Sequence, residues 1–223
     1  MKERMLALTF TPFLFLALTV AAANTHYYPI RSFQQKGSSI VSRQQDEDSA
    51  YTRVITERAG KIVQKLGIGD STRVLRVRTI IVQQYSDLNT LDNEKDTTGR
   101  AAAIEKLHGQ FLVRLSKELT PQQVDGVKDG MTYGILPLTY NAYQDELPAL
   151  TDAQKAQIKA WLTEAREYAM DAGSSKEKHA WFGKYKGRIN NYLSKEGYDM
   201  KKAEADWMQR IKDRQQAGAA KNS

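Results

Sequence analysis

The segment Trp181-Phe182-Gly183-Lys184-Tyr185-Lys186-Gly187-Arg188-Ile189-Asn190-Asn191-Tyr192 holds residue types suited to gripping a polar ring. Aromatic faces stack on the C–H faces of sugars through the same burial and quadrupole effects that let them hold cations. Asn amides and an Arg fork supply donors for hydroxyls and carboxylates. At helical spacing Phe182, Tyr185, Ile189 and Tyr192 share one face. Trp181, Lys184, Arg188 and Asn191 share the face beside it. Tyr185 therefore suits either packing or ligand contact. Gly183 and Gly187 inside such a helix cost roughly 2 kcal/mol against alanine. A glycine tolerated there often marks close approach by another backbone or by a ligand.

A second concentration, Tyr133, Tyr140, Asn141 and Tyr143, falls in 131–150 together with Pro137 and Pro148. The prolines make this stretch read as one long Tyr-rich loop, and loops concentrate binding residues. The ligand-binding candidates are thus Trp181, Tyr185, Arg188, Asn191, Tyr140, Asn141, Tyr143 and Asp145. Gln84 and Tyr85, polar and aromatic neighbours in mid-helix, join them.

Catalytic motifs are missing. There is no Gly-x-Ser-x-Gly, no His-Glu-x-x-His and no phosphate loop. With no cysteine, disulfides, thiolate zinc, iron–sulfur clusters, cysteine nucleophiles and a lipidated cysteine are all excluded. His26, His108 and His179 lie far apart without ligand spacing, so no metal and no cofactor is expected. His108 borders a core stripe and reads as a partly buried structural histidine. An enzyme would have to work with carboxylates, and Asp145 with Glu146 is the pair to consider for a glycoside hydrolase or lyase. Solvated turn residues are the plainer reading of that pair.

The 223 residues carry 33 Lys and Arg against 26 Asp and Glu, a net charge of +7. The basic residues are interleaved with acids along helix faces, which describes a solvated surface rather than a nucleic-acid interface. Attraction to an acidic polysaccharide remains physically reasonable.

Amphipathic helices must position these groups. Residues 1–23 read as a signal peptide: Lys2 and Arg4, an apolar run from Leu6 to Val20 broken by Pro12, then Ala21-Ala22-Ala23. The run is shorter than the ~20 residues that span a bilayer, and no later stretch is apolar enough to insert. An exported protein, periplasmic or extracellular, is expected. Residues 24–45 lack a helical stripe and read as an extended or partly disordered lead. From 46 to 214 the helical period recurs with no βαβ alternation, predicting a single all-α domain of roughly six to seven helices. Val74 to Val82 is β-branched, but its stripe continues to Leu91 and favours helix. Asp70 and Asp199 are helix caps, and Thr120-Pro121-Gln122-Gln123 and Thr151-Asp152-Ala153-Gln154 are capping boxes. Residues 215–223 read as a flexible tail.

Lys184 to Leu193, Gly197-Tyr198-Asp199 and Leu119-Thr120-Pro121-Gln122-Gln123 through Val127 to Tyr133 give a more specific sign. These stretches resemble a domain-of-unknown-function family of exported proteins from polysaccharide-degrading Bacteroidota. The resemblance covers about 51–212 and implies carbohydrate binding in support of polysaccharide use. It transfers no catalytic residue. The doubled Leu-Thr-x-x-Gln word is also similar to one in small periplasmic helical chaperones. That alternative requires a concave, basic, apolar-lined face.

Overall fold

The computed structural model describes the backbone of residues 32–94 and 97–221, with side chains for 48–94 and 97–217. The expected signal peptide lies outside the described residues. Among the described residues there are eight helices and no strand: α1 Ser32–Gln64, α2 Ser71–Asn93, α3 Arg100–Ser116, α4 Pro121–Met131, α5 Ile135–Glu146, α6 Asp152–Met170, α7 Ser175–Lys195 and α8 Met200–Lys221. The all-α expectation holds, with one or two helices more than the stripes predicted. Contacts divide the chain after Gln44, inside α1. Of the first unit, residues 32–44 are described, and their backbone is helical where the sequence suggested an extended lead. No proline follows Pro29 until Pro121, so nothing interrupts the backbone ladder there. At the other end α8 runs on to Lys221, through much of the stretch read as a tail. The caps, cores and depressions described below lie in the second unit, Gln45–Ser223.

The caps read from sequence are present. Asp70 accepts from the N–H groups of Thr72 and Arg73, and Asp199 accepts from that of Lys202. Thr120 with Gln123 and Thr151 with Gln154 close reciprocal capping boxes. A third box, Ser174 with Glu177, opens α7. Each satisfies donors that the first helical turn leaves unpaired.

The Tyr-rich loop is the main correction, because 131–150 contains α5. Tyr133 (φ 60°) and Gly134 (φ 67°) adopt left-handed backbone, and the Gly134 N–H returns to the Asp129 carbonyl at 2.7 Å. This ends α4 and turns the chain so that a new helix starts at once. Pro137 is the third residue of α5, where its missing N–H would have had no intrahelical partner anyway. Pro148 follows the C-cap Leu147, whose backbone (φ −122°, ψ 77°) has left the helical region, as a residue before proline tends to do. The two prolines bracket a helix instead of forbidding one.

The apolar stripes build two cores. Ala59, Ile62, Val63, Val77, Ile81, Phe111, Leu115, Val127 and Met131 join α1 to α4, with Met170 reaching in from α6. Leu136, Tyr143, Ile158, Leu162, Ala165, Ala169, Phe182, Tyr185, Ile189 and Leu193 join α5 to α7, with Met200 and Ala203 of α8 at the margin. The boundary between them is polar. Arg166 of α6, its side chain 6% exposed, donates to Asp125 (2.6 Å) and Asp129 (2.8 Å) of α4. Lys128 of α4 donates to Glu167 of α6 at 2.7 Å. Lys178 of α7 is buried and its ammonium donates to the Ala169 and Met170 carbonyls, capping the end of α6.

Candidate functional site

A cavity of about 830 Å³ lies on that polar boundary. Leu88, Leu91 and Asp92 of α2 and Arg100, Ile104, Glu105 and His108 of α3 form one wall. Glu164, Glu167, Tyr168 and Asp171 from the end of α6, with Glu177 and Trp181 of α7, form the other. The α6 residues recur at three- and four-residue steps, so one helix face beside the buried stripe delivers them all. Gly173 lets the α6–α7 connection close against α2, since a β-carbon there would lie 2.5 Å from Asp92 Oδ2.

Two groups give the cavity its character. Tyr168 and Trp181 stack across the α6–α7 seam, with centroids 4.6 Å apart and planes 18° apart. Tyr168 is 48% exposed, and the Lys184 ammonium lies 4.9 Å from the Trp181 centroid. The second group is ionic. His108 Nδ1–H donates to Asp171 Oδ2 at 2.6 Å, and Nε2 lies 3.6 Å from Glu167 Oε2. The Asp171 hydrogen bond raises the His108 pKa above the ordinary value, and burial opposes it. Flanked by the two carboxylates, the His108 ring links α3 to α6. Asp171 Oδ1 and Arg100 Nε are buried without a partner among the described residues. The lining carries six carboxylates against Arg100 and His108, the reverse of the chain's overall balance.

A second, shallower depression of about 590 Å³ lies farther along α6 and α7. Trp161, Lys184, Gly187, Arg188, Asn191, Tyr192 and Lys195 line it. The Arg188 guanidinium lies 4.6 Å from the Trp161 centroid, and Tyr192 meets Trp161 edge-on at 5.3 Å.

The residues singled out from sequence are dispersed over these places. Trp181 lines the cavity, while Arg188 and Asn191 line the shallower groove. Tyr185 is buried in the α5–α7 core. Tyr143 lies in the same core and donates to Asn190 Oδ1 at 2.6 Å, with burial pushing its phenol pKa up. Tyr140 packs against that core and Asn141 is exposed, and neither lines either depression. Asp145 is a clasp between α5 and α8, accepting from Trp207 Nε1 (2.7 Å) and Arg214 (2.8 Å). Those two donors hold its carboxyl below the usual range. Burial, with Glu204 nearby, raises that of Glu146. Neither acid lines either of the two depressions. Gln84 is fully buried with neither amide atom partnered among the described residues. Burial pushes the neighbouring Tyr85 phenol up to about 12. His26 lies outside the described residues, and among those described no three His, Asp or Glu side chains converge to hold a metal ion.

Sequence reasoning missed Tyr168, Trp161 and the acids of α6. The spacing of Glu164, Glu167 and Asp171 was visible, but their meeting with His108 is a tertiary fact.

These features define an all-helical protein whose α6–α7 pair carries an aromatic-walled, carboxylate-lined cavity on its surface. No described helix is long and apolar enough to cross a membrane. The chain belongs to the family described as protein of unknown function (DUF3826), which matches residues 52–103 and 98–213. The expected membership of a domain-of-unknown-function family is thereby met. No curated protein matches the chain.

Proposed function

We propose that this is an exported protein that binds carbohydrate, with the cavity between α2–α3 and α6–α7 as its site. The observation that carries the reading is the Tyr168–Trp181 stack, part-exposed on the wall of a cavity lined with carboxylates. An aromatic surface takes the apolar face of a sugar, and carboxylates accept its hydroxyls in charge-assisted hydrogen bonds. Ligand pockets of this size with a few convergent polar groups are common binding sites. Export is supported by the charged start, apolar run and Ala21-Ala22-Ala23 of residues 1–23. The cavity's negative lining suits a neutral sugar residue and opposes the acidic polymer that net charge alone suggested. It also lacks the basic surface that a chaperone cradle requires.

Calorimetric titration with a panel of neutral and acidic oligosaccharides tests this reading. Wild-type protein binds a neutral member, and Trp181→Ala or Tyr168→Ala weakens that binding by roughly 10-fold, the scale of one aromatic contact. Absence of binding across the panel, with folded protein shown by circular dichroism, refutes it.

A further inference from the structure

We infer that the outer ridge of α6 and α7 is a track for an extended glycan, with the shallower groove as its subsite for an acidic sugar residue; this rests on the carbohydrate reading of the cavity. The two depressions are neighbours joined by shared side chains. Lys184 sits over Trp181 at the cavity and also lines the groove. Glu164 lines the cavity and lies 3.6 Å from Arg188 of the groove. On α6, Trp161 and Tyr168 are seven residues apart, placing the two aromatic stations roughly 10 Å apart along the axis, about the reach of a disaccharide.

The groove differs from the cavity in charge. Lys184, Arg188 and Lys195 line it and no carboxylate does. Arg188 is spread on Trp161 with its side chain 54% exposed, and its guanidinium, approached by Glu164 only at 3.6 Å from Nη1, keeps further N–H donors for a ligand carboxylate. Asn191 adds donors and an acceptor for hydroxyls. Gly187 supplies the independent sign. It lies in mid-helix, lines the groove, and has no heavy atom within 4 Å of where a β-carbon would stand. Among the described residues nothing fills the space that glycine leaves, and bare helix backbone on a groove floor admits a ring at close range. A glycan with a neutral residue at Trp181 and a uronate at Arg188 matches both linings.

The test is an affinity ladder of oligosaccharides in which neutral sugars alternate with uronates, from disaccharide to hexasaccharide, alongside neutral oligosaccharides of equal length and polyglutamate as a non-sugar polyanion. Affinity for the alternating oligosaccharides rises at least ~10-fold with length, as linked subsites require, and falls with added salt. Gly187→Ala and Arg188→Ala each reduce binding of the longest oligomer by roughly 10-fold. Both leave binding of a short neutral sugar at Trp181 unchanged. Affinity that is flat with length, equal for neutral oligomers, or equal for polyglutamate overturns the track while leaving the cavity reading intact. If no sugar of any kind binds, both fall together.

Discussion

Replacing Gly183 and Gly187 by alanine probes the structure twice, once through stability and once through binding. Both glycines lie well inside the 21-residue α7, and neither has a heavy atom within 4 Å of its would-be β-carbon. Each alanine therefore adds a methyl to open space. It gains about 1 kcal/mol from helix propensity and from a less free unfolded chain, with no packing cost against it. For a domain of this size 1 kcal/mol moves the midpoint by about 2–4 °C, so the double variant melts about 4–8 °C higher. Thermal melts by far-UV circular dichroism, with urea unfolding alongside, measure this directly. A lower melting temperature for either single variant refutes the reasoning, because something would then occupy space that the structure leaves empty. The two sites should separate in binding: the Gly183 variant is stabilised and unaffected, while the Gly187 variant is stabilised and impaired. A stabilising substitution that costs function is the expected mark of a residue kept for a ligand.

Gly130→Ala should do the opposite. Its β-carbon would lie 2.7 Å from Cγ1 of the buried, β-branched Ile62, so overpacking outweighs the propensity gain and urea unfolding should show a net loss of about 1–2 kcal/mol. The His108 pKa is raised in the folded state, so its ion pairs stabilise fully below about pH 6.5, and that contribution fades as pH climbs through the folded value. Urea unfolding across a pH series should show this slope in wild type and lose it in His108→Gln; parallel curves would count against the ion pair. Burial lowers the Lys178 pKa to about 8 from 10.5, so between those values the unfolded chain holds more protons and stability from this group rises with pH. NMR of the lysine side chains should find one titrating near 8, and Lys178→Met should flatten the rise.

Much of the fold could be read from local chemistry. Thr120, Thr151, Asp70 and Asp199 act within a few residues of themselves, and a cap is recognisable wherever oxygen, spacing and helix start coincide. α5 stayed hidden because Pro137 is a breaker in mid-helix and a starter in the first turn, and only the left-handed pair Tyr133 and Gly134 reveals which applies. The site was half legible for a related reason. Periodicity put Trp181, Arg188 and Asn191 on a face of α7 beside its packed one, but Trp161 and Tyr168 fall at the same helical spacing as the buried stripe Ile158, Leu162, Ala165 and Ala169 of α6. Those two lie on the flank of that stripe, where a rotation of a few tens of degrees separates core from surface. Asp145 attracted notice as an acid near tyrosines; its partners Trp207 and Arg214 are more than sixty residues away.

The charged boundary between the two cores has a consequence for cooperativity. Apolar surfaces tolerate sliding, whereas the pairing of Arg166 with Asp125 and Asp129, of Lys128 with Glu167 and of His108 with Asp171 is met in one register. Glu167 and Asp171 belong both to that register and to the wall of the cavity. A ligand that draws either carboxylate toward itself therefore pulls on the coupling between the halves of the molecule. Occupancy of the site and the sharpness of global unfolding are then two readouts of the same few side chains.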